Sequence, residues 1–151
     1  ISGDKKKIKG YIEGLNLLSS MRLCSNVPAQ SIVQTALGGV QSVDELLLPG
    51  GRIYEQREFV YNALCEIDGV SVVKPKAAFY IFPKLDTKKF NLHDDEKLVL
   101  DFLKAKKVLL MHGKGFNYPT PDHLRIVYLP RRRILGEAMD AFKDFLADYK
   151  Q

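Results

Sequence analysis

The stretch PDHLRIVYLP, Pro121 to Pro130, sets the tightest condition on what this chain can become. Prolines bracket it, and its interior is β-branched, aromatic or aliphatic apart from one arginine, so it reads as a short strand. Side chains alternate across a strand. Leu124, Ile126 and Tyr128 therefore share one face, and Arg125 shares the other with Val127 and Leu129. A guanidinium cannot shed its charge, so if that face is covered the arginine needs an anion. The anion is either a carboxylate of the protein or a ligand.

The rest of the chain supplies layers for this strand to pack in. KIKGYIEGLNLLSSMRLC spaces Ile8, Tyr11, Ile12, Leu15 and Leu18 as one helical stripe. VPAQSIVQTALGG has Pro28 suited to a helix start and Gly38-Gly39 to its end. After the break LLLPGG, the segment RIYEQREFVYNALCEIDG resumes a helical pattern through Ile53, Phe59, Val60, Ala63, Leu64 and Ile67, closed by Gly69. VSVVKPKAAFYIFPKL, broken by Pro75, predicts two short strands with a turn between them. HDDEKLVLDFLKAKK opens with acids and ends with lysines, matching a helix dipole at both ends. VLLMHG is a short strand, KGFNYPTPD a loop, and the final LGEAMDAFKDFLADYK puts Leu135, Met139, Phe142 and Phe145-Leu146 on one helical face. Helices first, then strands interleaved with helices, give an α+β layered domain with a small mixed or antiparallel sheet.

Bulk properties narrow the function. No apolar run approaches the roughly 20 residues a membrane helix needs, and no secretory pattern is present. Cys24 and Cys65 suggest two reduced thiols in a cytoplasmic setting and no zinc site. His93, His112 and His123 form no metal spacing and read as surface or boundary residues. The formal charge of +5 invites a nucleic-acid partner, but the basic clusters at Lys5–Lys7, Lys104–Lys107 and Arg131–Arg133 are not interleaved with aromatics, so nucleic acid is not expected. A non-enzymatic basic binding module remains the alternative of a different class. The chain opens ISGDKKK, with isoleucine in place of methionine, which points to processing or to part of a longer protein.

Three segments in order, KGYIEGLNLLSSMRLCSNVPAQ, KPKAAFYIFPKLD and GKGFNYPTPDHLRIVYLP, resemble the C-terminal part of class I/II aminotransferases of PLP fold type I. MRLC…VPAQ looks like the alanine (glutamate–pyruvate) aminotransferase branch. The resemblance implies that residues 1–50 are connecting helices, the first of them long, from an absent large PLP-binding domain. Residues 51–151 are then the small C-terminal domain. It implies that Arg125 forms a two-pronged salt bridge with the substrate's α-carboxylate, a match of planar fork to planar anion.

Further positions carry over from the resemblance. Ser25 and Asn26 belong to a loop brought toward the neighbouring subunit's cofactor site, although a polar cap before Pro28 explains them equally. Arg22 is a candidate for glutamate's second carboxylate. Phe79 and Tyr80 lie near the substrate in relatives and serve equally as core aromatics. Gly113, Gly115 and Phe116 shape the loop before the arginine strand. RRRILGEAM departs from the pattern, since arginines at a helix start oppose its dipole and suggest an acidic neighbour.

No lysine here has the Ser-Lys context of the family's Schiff-base lysine. By resemblance, the covalent lysine and the pyridoxal 5'-phosphate belong to the parent enzyme outside this chain. No catalytic residue and no bound cofactor are expected in the chain itself. The expected partners are amino-acid and 2-oxo-acid substrates, the large domain of the same protein, and a second subunit in a homodimer. The expected reaction of the parent is alanine plus 2-oxoglutarate to pyruvate plus glutamate, with another fold type I aminotransferase or lyase as the alternative.

Overall fold

A computed structural model describes residues 4–151, in two compact units, one ending at Ser42 and one covering Val43–Gln151. In the first unit, α1 (Lys9–Ser20) and α2 (Val27–Gly38) each run 12 residues. Met21–Asn26 separate them, so the long first helix expected from the sequence is shorter and Arg22 is not helical. Asn26 caps α2 by accepting the Ala29 N–H at 3.0 Å. Neither helix buries a residue. Ile8, Ile12 and Leu15 of the predicted stripe are half-buried, while Tyr11 and Leu18 are exposed.

The second unit has its own core. After the short α3 (Asp44–Leu47), α4 (Arg52–Cys65) turns Gln56, Val60 and Leu64 inward, three positions at helical spacing. Gly69, at φ +86°, makes the turn into β1 (Val70–Ser71), a backbone angle that strains any side-chain-bearing residue. The segment expected to hold two strands holds three very short ones: β1, β2 (Tyr80–Ile81) and β3 (Lys84–Leu85). Pairs of two residues are too short for their alternation to be read in advance.

The acids of HDDE cap α5 (Asp95–Lys106) as its sequence predicts, with Asp94 accepting the Glu96 and Lys97 N–H groups. Then follow β4 (Met111–His112), a 3-10 turn at Gly113–Phe116, β5 (Leu124–Val127) and α6 (Arg132–Asp148). β1 pairs with β3, and a three-stranded antiparallel sheet has the order β2-β5-β4. β5, the arginine strand, is thus the middle one.

Burial along β5 alternates as expected, with Leu124, Ile126 and Tyr128 inside and Arg125, Val127 and Leu129 half-buried. Beneath the buried face lie Leu98 and Phe102 of α5, Leu64 of α4, and Leu135, Met139, Phe142 and Leu146 of α6. The buried phenol of Tyr128 donates to the Ala78 carbonyl at 2.9 Å, which satisfies its polar end and holds the segment before β2 against β5. The arginines at the start of α6 find partners within this unit: Arg133 pairs with Glu137 one turn on, and Arg132 lies over the Phe59 ring at 5.1 Å. For these two, an acid on another domain is not required.

Candidate functional site

Arg125 stands on the half-open face of the central strand. Register places Met111 directly across from it on β4, and Tyr80 opposite Val127, its same-face neighbour, on β2. Its guanidinium carbon lies 4.7 Å from the centre of the Tyr80 ring and 4.2 Å from that of Phe116. Tyr80 in turn packs on Phe79 with ring centres 4.5 Å apart. Beside the arginine runs a mainly apolar cleft of ≈ 540 Å³ lined by Met111, Val127, Ile134 and Ala138.

No acid of the described residues pairs with Arg125. The carboxylates nearest in the chain and in the cleft are engaged elsewhere. Asp122 lies 2.6 Å from His123 Nδ1 and 3.5 Å from Lys84 Nζ, and Glu137 pairs with Arg133. The Arg125 Nε is buried with no hydrogen-bond partner. An orphaned buried donor costs about 1–3 kcal/mol, and more when it is charged. Two aromatic faces return roughly 0.5–2 kcal/mol each. They hold the guanidinium in place without supplying an acceptor for its Nε–H.

The loop before β5 is braced from below. Asp122 is buried and would ordinarily resist ionising, but hydrogen bonds from Thr120 at 2.6 Å and from His123 outweigh burial and hold its carboxyl below the usual range. His123 stacks on Phe82 at 5.0 Å and packs on Tyr118 at 4.2 Å. Asp95, the first residue of α5, is completely buried and accepts the Lys114 N–H at 2.9 Å. These contacts fix the turn that carries Phe116.

A family model described as aminotransferase class I and II matches residues 10–141. The chain belongs to that family. Over all 151 residues it is 57% identical to a glutamate-pyruvate aminotransferase AlaA of Haemophilus influenzae and covers 37% of that protein. A crystal structure of an aminotransferase from Escherichia coli matches 99% of this chain and 37% of its own, with TM-score 0.81 and 57% identity. An alanine aminotransferase from Pyrococcus furiosus matches 94% of this chain and 35% of its own, with TM-score 0.71 and 39% identity. The chain thus spans about 37% of the length of the first curated relatives it matches. Its fold is that of fold type I aminotransferases, α+β with small antiparallel sheets.

In this aminotransferase chain the sequence-derived positions divide between the two units. Arg125, Phe79 and Tyr80 come together in the second. Arg22, Ser25 and Asn26 are exposed in the first, where the Asn26 side chain caps α2. Two residues of the site were not legible as such. Phe116 reads as a loop-shaping residue, and only tertiary folding brings it onto Arg125. Asp95 reads as one more acid at a helix start, and nothing in the sequence marks it as buried.

Proposed function

We propose that this chain is the substrate-carboxylate-binding part of a PLP-dependent aminotransferase. In this reading the parent protein converts L-alanine and 2-oxoglutarate to pyruvate and L-glutamate. The observation that carries it is the half-buried Arg125, packed on two rings, one nitrogen unpaired, and without a carboxylate partner among the described residues. A guanidinium fork takes both oxygens of a carboxylate and so fixes the orientation of an amino acid, not merely its presence. The names printed for the relatives, glutamate-pyruvate and alanine aminotransferase, support the choice of substrates.

Pyridoxal phosphate, when bound, supplies the electron sink for bond breaking at the amino acid's Cα. The lysines here do not fit as its anchor. All described ones are exposed except the half-buried Lys89, which Asp68 engages. The anchor is assigned to the remainder of the parent. Residues 1–50 then connect to that remainder, and 51–151 close over the substrate. The turn bearing Arg22, Ser25 and Asn26 faces the cofactor site of a second subunit in a cytoplasmic homodimer. Tyr80, with Phe79 behind it, lines the substrate's carboxylate end.

Arg125→Lys in the full-length enzyme tests the reading. A point charge cannot replace the fork, so the apparent KM for alanine should rise and turnover should fall, together with weaker competitive inhibition by propionate. Unchanged kinetics and inhibition would sink the assignment.

A further inference from the structure

We infer that Asp95 is a positioning residue for the Arg125 site, acting through the Gly113–Phe116 turn to keep Phe116 against the guanidinium. The inference rests on the carboxylate reading given above. Asp95 makes no ion pair with Arg125 and is wholly buried. One oxygen, Oδ2, accepts the Lys114 backbone N–H at 2.9 Å. The other, Oδ1, has no hydrogen-bond partner, and the nearest cation, Lys114 Nζ, is 3.9 Å away on a half-exposed side chain. A carboxylate so buried and so incompletely paired works against stability. A cap at the surface would serve α5 as well, and Asp94 already provides one. What Asp95 supplies is a buried tie from the start of α5 to the backbone of the turn, whereas the other link, Lys114 Nζ to Asp94 at 3.5 Å, runs through an exposed side chain.

The turn is shaped to receive that tie. A Cβ on Gly113 would come within 3.3 Å of Asp95 Oδ2 and 2.9 Å of the His123 carbonyl, so only glycine admits the approach. The remaining backbone contacts close the turn on itself or onto β5: Gly113 N–H to the His123 carbonyl at 2.9 Å, Asn117 N–H to Lys114 at 3.0 Å, and Tyr118 N–H to Gly113 at 3.2 Å. Gly115 N–H donates to His112 Nδ1 at 3.2 Å. None of these backbone contacts fixes the turn relative to α5; the Asp95 carboxylate does so at the Lys114 N–H, beside the longer, exposed Lys114 Nζ–Asp94 contact. Phe116, two residues beyond Lys114, is 42% exposed, so little besides the turn holds its ring on Arg125.

The test uses the full-length enzyme in six forms: wild type, Asp95→Ala, Asp95→Asn, Phe116→Leu, the Asp95→Ala/Phe116→Leu double variant, and Arg125→Lys. Asp95→Ala removes the acceptor for the Lys114 N–H, whereas Asp95→Asn keeps an amide oxygen there and should stay within about threefold of wild type. Asp95→Ala and Phe116→Leu should each raise the propionate inhibition constant and the alanine KM about tenfold, with turnover changed less than about threefold. The double variant should be no worse than the poorer single one, because both act through one turn. A lowered melting temperature with unchanged propionate inhibition would reduce Asp95 to a structural role and overturn the inference, and so would additive effects. If Arg125→Lys also leaves inhibition unchanged, the carboxylate reading itself has failed, and the positioning role falls with it.

Discussion

Arg125 and Asp122 lie on one short stretch and show two outcomes for a charge near a core. Asp122 is answered inside the chain, and Arg125 is not. Alternation fixed the facing of Arg125 in advance, because a period of two survives even in a four-residue strand. Which anion it meets was not legible, since the candidate acids are placed by loops. Asp122 yields a prediction about pH. Its folded-state pKa lies below the ordinary carboxylate value, so its stabilisation is present above that ordinary value and is lost as pH falls through the lower folded one. Asp122→Asn should lower the melting temperature at neutral pH and flatten its decline as pH falls through and below the ordinary carboxylate range. Thermal melts across that range decide it, and an acid limb unchanged from wild type would contradict the assignment.

At the scale of elements, α6 is the best-read part of the chain. Leu135, Met139, Phe142, Phe145 and Leu146 were expected on one face; all are buried except Phe145, which is half-buried. Phe142 is completely enclosed, with Phe102 of α5 edge-on at 5.3 Å. Phe142→Ala should therefore cost about 3–5 kcal/mol in denaturant unfolding, and Ile134→Ala, on the exposed side of the same helix, less than about 1 kcal/mol. Equal costs would mean that the helix face has been misplaced. β1, β2 and β3 were less legible, because each spans two residues and is defined by its partner and not by its own pattern. The arginines at the start of α6 were read incompletely for a different reason. A dipole argument sees their charge but not Glu137 one turn on or the Phe59 ring.

The molecule as a whole is uneven. The second unit buries a continuous core, while α1 and α2 leave Leu17, Leu18, Ile32 and Leu37 exposed. Apolar helices with nothing over them drive association. The chain on its own should sediment above monomer mass and bind a hydrophobic dye, and Leu18→Glu with Leu37→Glu should reduce both. A dye-silent monomer would show that this surface is harmless. Within the second unit, the place of Arg125 on the middle strand has a consequence for timing. An edge strand can fray by itself, but β5 is bonded on both sides, so displacing it means disrupting β2 and β4 as well. Amide protons of β5 should therefore exchange with solvent only at the slow rate of the surrounding core. In the proposed carboxylate role, Arg125 is then a fixed post, and the fit is made by the arriving ligand and not by the strand giving way.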